Sequence, residues 1–84
     1  YPNPFNPLIN IFYDIAENEQ LMIKIVDING RVVHVLHDGP AAKGRYHMQW
    51  DAKDMFGHGM STGVYFVHLA SESYRKTIKI LYLK

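Results

Sequence analysis

Apolar and polar residues alternate with a period of two through most of the chain. Ile9, Ile11, Tyr13 and Ile15 alternate with Asn10, Phe12 and Asp14. Leu21, Ile23 and Ile25 alternate with Met22, Lys24 and Val26, and Tyr46, Met48 and Trp50 alternate with His47 and Gln49. Successive strand side chains point to opposite faces, so this period predicts strands with one buried face. Residues 31–37 are rich in β-branched side chains and follow Asn29-Gly30. Both turn residues tolerate positive φ, which predicts a hairpin between the flanking strands. Gly39-Pro40 and Lys43-Gly44 bracket the next connection, and residues 51–63, with three glycines, form the longest loop. Residues 64–70 and 74–83 supply the last strands, although the continuous apolar run at 80–83 leaves the inward face of the final one undefined.

No window combines helical spacing with a capping signature, and no internal repeat is evident. Short strands at regular turn spacing predict an all-β fold, a β-sandwich of about seven strands. Three of the first seven residues are proline and lack a backbone donor. Residues 1–8 are therefore expected to lie extended along a sheet edge. A length of 84 residues suits one domain spanning the whole chain.

Composition narrows the function classes. Hydrophobic residues make up 48% and charged residues 20%, the balance of a folded protein. The net charge is +1 and Lys and Arg are scattered singly, whereas nucleic-acid binding requires clustered cations. An anionic membrane surface is disfavoured on the same ground. With no cysteine there is no disulfide, thiolate or cysteine-zinc chemistry. No apolar run approaches the ~20 residues of a membrane-spanning helix, so no transmembrane segment is expected. If the protein is exported, its signal peptide is expected upstream.

Candidate chemistry is sparse. Asp51, Asp54 and Gly57 form a D-x-x-D-x-x-G loop that could offer oxygens to Ca²⁺, but the EF-hand spacing is missing and Asx turns explain the same residues. His34 and His37 are expected on opposite faces of their strand, and His47 and His68 toward solvent. The serines at 61, 71 and 73 lack a nucleophile elbow, and Glu17, Glu19 and Glu72 fall in loops, so catalysis and a cofactor are not expected. Tyr13, Tyr46, Trp50, Tyr65 and Tyr74 could stack on sugar rings, which keeps a carbohydrate-binding module as an alternative. Trp50 and Tyr65 fit the core better. Phe12 and Phe66 fall opposite the inward set and predict an apolar patch at an interface. Gly30, Gly57 and Gly63 are expected where turns need positive φ or close backbone approach.

Five blocks in order carry a family resemblance. They are Tyr1-Pro2-Asn3-Pro4-Phe5-Asn6-Pro7, then residues 25–33 around Asn29, Gly30 and Arg31, then Trp50-Asp51, then Asp54-Met55-Phe56-Gly57, then residues 61–69 around Gly63 and Tyr65. Together they resemble the C-terminal sorting domain of type IX secretion substrates, and are closely similar to the immunoglobulin-like domain of flagellar hook-capping proteins. The resemblance implies a seven-stranded immunoglobulin-like sandwich attached to an upstream cargo domain, exported through periplasm and outer membrane to be secreted or held at the cell surface. It implies recognition by the secretion or attachment machinery through protein contacts. The surfaces expected to carry this are Tyr1, Pro2, Asn3, Pro4 and Phe5 at one end of the chain and Leu81, Tyr82, Leu83 and Lys84 at the other. A structural or assembly module, joining domains or copies of itself through strand edges, is the alternative.

Overall fold

The computed structural model describes residues 8–84. Of the expected edge segment at residues 1–8, residues 1–7, with candidates Tyr1, Pro2, Asn3, Pro4 and Phe5, lie outside the described residues. Six strands occur among those described: β1 (Ile9–Ile15), β2 (Glu19–Val26), β3 (Val32–Ala41), β4 (Gly44–Trp50), β5 (Gly63–Ala70) and β6 (Arg75–Tyr82). This is one fewer than the seven expected.

The strands divide into an antiparallel pair, β1-β4, and a four-stranded antiparallel sheet in the order β3-β2-β5-β6. The alternation does what the sequence demands. Ile11, Tyr13 and Ile15 of β1 face Leu21, Ile23 and Ile25 of β2 and Tyr65, Val67 and Leu69 of β5 across a single apolar layer. Trp50 closes one end of this layer at 1% exposure. Its indole meets Tyr65 edge-on, with ring centroids 5.4 Å apart, and Nε1 donates to the Lys53 carbonyl at 2.9 Å. Tyr65 also packs against Tyr82, and its hydroxyl donates to the Ser61 carbonyl at 2.7 Å.

The register settles the ambiguous last strand. Tyr65 pairs with Ile80 and Gly63 with Tyr82, so Ile80 and Tyr82 are buried and Leu81 and Leu83 face out. Three expectations need correction. Gly39-Pro40 does not begin a connection but continues β3, with Pro40 opposite Gln20. Proline is tolerated there because β3 is an edge strand and its missing donor faces away from the ladder. His34 and His37 were expected on opposite faces, but a bulge at Leu36 adds a residue between them and sets His37 opposite Ile23 and His34 opposite Ile25, both in the core row. Glu19 is not in a loop: it opens β2, and its carboxylate accepts from Ser73 Oγ at 2.7 Å and Ser73 N at 3.3 Å, fastening the β5–β6 turn.

Truncating a buried Trp removes its burial and leaves a cavity, typically costing about 3–5 kcal/mol. Trp50→Ala is therefore expected to remove most of the stability of a chain this small, measured as a fall in the urea midpoint. Tyr65→Phe, losing one part-buried hydrogen bond, is expected to cost only about 1 kcal/mol.

Candidate functional site

Both β-hairpin ends of a sandwich are loops, but here they differ. At one end the connections are short, at residues 16–18, 42–43 and 71–74. At the other end lie the start of β1, the 27–31 turn, the 51–62 loop and the chain after β6. Every described block of the family resemblance converges on this second end.

Two of its turns are built alike. In Asp27-Ile28-Asn29-Gly30-Arg31, Asp27 Oδ1 accepts from Asn29 N and Arg31 N, both at 2.9 Å. Asp27 N donates to Arg31 O and Gly30 N to Asp27 O, both at 3.0 Å. In Asp54-Met55-Phe56-Gly57-His58, Asp54 Oδ1 accepts from Phe56 N and His58 N at 2.9 Å, Asp54 N donates to His58 O at 2.9 Å, and Gly57 N donates to Asp54 O at 3.1 Å. The fourth residue is glycine in both, at φ +81° and +83°. That is the conformation only glycine adopts without strain. The repeat was missed in the sequence, where its only signal is an Asp three residues before a Gly.

Each turn lifts apolar side chains into solvent. Ile28 is 72% exposed, and Met55 and Phe56 are exposed beside each other on the second turn. Among the described residues, seven of the eight exposed large hydrophobics sit at this end: Leu8, Ile28, Val32, Met55, Phe56, Leu81 and Leu83, with Phe12 the exception. The loop also lies along the edge of β3, where Met55 N donates to Val33 O at 3.2 Å and Val35 N donates to Met55 Sδ at 3.2 Å. These bonds occupy backbone groups that an edge strand otherwise leaves open to another chain. Ala52, buried and at φ +59°, carries the loop's one non-glycine left-handed conformation among the described residues, and its carbonyl accepts from Met60 N at 2.8 Å. The last residue is tied in as well, since Lys84 N donates to Thr62 Oγ1 at 3.0 Å.

The sequence candidates fall as follows. Asn29, Gly30 and Arg31 form the first turn; Trp50 and Tyr65 are core; Asp51 accepts from Lys53 N at 3.2 Å and Asp54 organises the second turn, so both carboxylates serve backbone amides. No three of His, Cys, Asp and Glu converge among the described residues. Gly63 does not have the positive φ expected of it: it opens β5 in extended conformation with space where a Cβ would sit. Leu81, Leu83 and Lys84 are exposed at the site, while Tyr82 turns into the core. Among the sugar-stacking candidates, Trp50 and Tyr65 are buried, and Tyr13 stacks on Tyr46 at 5.2 Å, so neither pair presents an open ring platform. Phe12, 67% exposed, lies flat against His47 on the outer face of the small sheet.

The described strands and loops define an immunoglobulin-like β-sandwich module. The family described as the secretion system C-terminal sorting domain matches residues 1–83, and the chain belongs to it. Membership makes this a type IX sorting domain of an exported protein, secreted or at the cell surface. A search of curated proteins returned no match. Among solved structures, FlgD from P. aeruginosa is similar with a TM-score of 0.69 and 22% identity, a likeness of fold. The alignment covers 92% of this chain and 60% of that one, so the chain spans under two thirds of the FlgD chain.

The Asp54 carboxyl is held below its ordinary value chiefly by the His58 amide; desolvation opposes this, and the Phe56 amide and the His58 ring add to the lowering. A lowered folded-state pKa gives stabilisation that is present above the ordinary carboxyl value and lost as pH falls through the folded one. Acidifying below about pH 4 is thus expected to loosen the 54–58 turn first. Amide exchange at Phe56 and His58 should accelerate there. In Asp54→Asn, which keeps an acceptor oxygen but not the charge, that acid step should vanish.

Proposed function

We propose that the chain is a non-catalytic sorting module, read by the type IX machinery through protein contacts at the apolar end of the sandwich while joined to a cargo domain. The observation that carries this reading is the gathering of seven exposed apolar side chains on the two Asp-Gly turns and the residues around β6. A soluble monomer scatters such residues over its whole surface, and their concentration at one end marks a candidate interaction region. The residues are held rigidly: each turn is closed by four hydrogen bonds, and the end of the chain is bonded to Thr62. Little ordering entropy is then lost on binding.

Leu81 and Leu83 are the best-placed anchors, because they leave the fold's last strand pointing outward while Ile80 and Tyr82 secure it from within. The motif at residues 1–7 is a second candidate on its family resemblance alone. Assembly through strand edges is the weaker reading, since the Met55 bonds block part of the β3 edge.

Fusion to a fluorescent reporter in a type IX-competent host tests the proposal. The parent sequence and Phe12→Ser, which alters an exposed apolar residue away from the site, should bring reporter to the cell surface. Leu81→Ser combined with Leu83→Ser should cut surface reporter about tenfold or more, the loss typical of truncated interface anchors, with the reporter retained in the periplasm and the thermal midpoint of the domain preserved. Undiminished export of that double variant would sink the apolar end as the recognised surface.

A further inference from the structure

The outer face of the four-stranded sheet carries a second surface with different chemistry. Cations that stand apart in the sequence are aligned there by register. Lys24 pairs with His68, and His68 with Thr77, so three strands contribute to one transverse row. Arg75 and Lys79 flank Thr77 along the outward side of β6. The result is a shallow depression of about 270 Å³ lined by Lys24, His68, Arg75, Lys76 and Thr77, with no carboxylate in its lining. The ion pairs among the described residues are Arg45–Asp14 and His58–Asp54, so Lys24, Arg75, Lys76 and Lys79 are all unneutralised there. Residues 1–7 contain no acid. Asp38, opposite Met22, and Glu72 line the adjoining surface that shares Met22 and Arg75 with this depression. Cations scattered singly along the sequence are thus brought onto one face by strand pairing.

The same face changes character along β6. Its outward row runs Arg75, Thr77, Lys79, Leu81, with Leu81 64% exposed and opposite half-buried Val64. Phe66, opposite Lys79, lies between the two halves. A flat surface that is cationic at one end and apolar at the other complements an amphiphile. A soluble polyanion would use the cations but leave the apolar half without a partner.

We propose that this face docks on an anionic membrane surface, the Lys24–Arg75 depression taking a phosphate-bearing lipid headgroup and Leu81 resting against the acyl boundary. The proposal shares Leu81 with the apolar end, but its cationic half lies on β2, β5 and the start of β6, which the sorting contacts do not use. Each basic side chain close to an anionic bilayer contributes about fivefold to partitioning, and the attraction is screened by salt.

Vesicle co-sedimentation of the whole chain tests it, comparing pure phosphatidylcholine with equal parts of phosphatidylcholine and phosphatidylglycerol. The chain should partition onto the anionic vesicles and release as salt rises from about 0.05 to about 0.3 M, a readout that needs no variant. Lys24→Gln with Arg75→Gln should weaken partitioning about 30-fold, whereas Arg45→Gln, on the other sheet, should leave it unchanged. Equal partitioning onto neutral vesicles, an equal loss with Arg45→Gln, or the absence of binding to either vesicle would overturn the proposal. Complete displacement by soluble polyphosphate at matched phosphate concentration would overturn the lipid assignment and leave a phosphate site. Weakened but still salt-sensitive binding to anionic vesicles by the Leu81→Ser, Leu83→Ser chain that fails in export would show that the cationic half acts apart from the sorting surface, whereas unchanged binding would overturn the part given to Leu81.

Discussion

The burial of Trp50 is the interaction on which the rest of the structure depends. Among the described residues the two sheets share no strand ladder, so apart from the connecting loops they are held together by side-chain packing. An isolated two-stranded ribbon is marginal in water, and β1-β4 is such a ribbon unless its inner row is covered. Trp50 ends that ribbon, reaches Tyr65 of the larger sheet, and passes its one polar hydrogen to the Lys53 carbonyl. That last bond starts the 51–62 loop in a defined direction. The left-handed Ala52 follows from the same geometry, since the chain must reverse immediately after a residue it cannot release from the core. A cost of about 1–2 kcal/mol for a non-glycine residue in that region is small beside the burial of an indole.

The loop so directed explains why the family blocks meet. Trp50-Asp51 sets the exit, Asp54 to Gly57 forms a self-bonded turn, and its Met55 lies down on β3. The other Asp-Gly turn closes the β2-β3 hairpin at the start of that strand. Both turns spend their carboxylates on backbone amides, which would otherwise require water or another partner. Phe56, at the tip of the second turn and 85% exposed, is left without a part in the core. Costly exposure on a rigid support is the signature of a surface kept for contact.

Much of the fold was legible in the residues, because period-two alternation and Asn29-Gly30 depend only on local chemistry. The inward rows of β1, β2, β4 and β5 followed directly. What was hidden depended on pairing. The run at 80–83 has no alternation to read, and only the alignment of Ile80 with Tyr65 turns Leu81 outward. The bulge at Leu36 leaves no mark in a stretch of mixed apolar and histidine residues, yet it brings His34 and His37 into one row. Gly39-Pro40 carries turn chemistry but lies where an edge strand tolerates it. The blocks of the candidate site were visible as a resemblance, but their convergence on one end was not, because it follows from which strands end there.

The cationic face shows the same limit most sharply. Lys24 and Arg75 are 51 positions apart in order, and no linear scan for basic runs would join them. Antiparallel pairing of β2 with β5 and β5 with β6 places them across one strand from each other. In a sheet, a charge pattern is therefore a property of register, and a one-residue slip would send the whole row inward. The buried row of β6 prevents that slip: Ile80 and Tyr82 cannot leave the core without exposing large apolar surface. The packing that turns Leu81 toward solvent thus also fixes Arg75, Thr77 and Lys79 on the outside. The inner and outer chemistry of the last strand are consequently one constraint: the same alternation that stabilises the sandwich sets out, on its other side, a row running from cation to leucine.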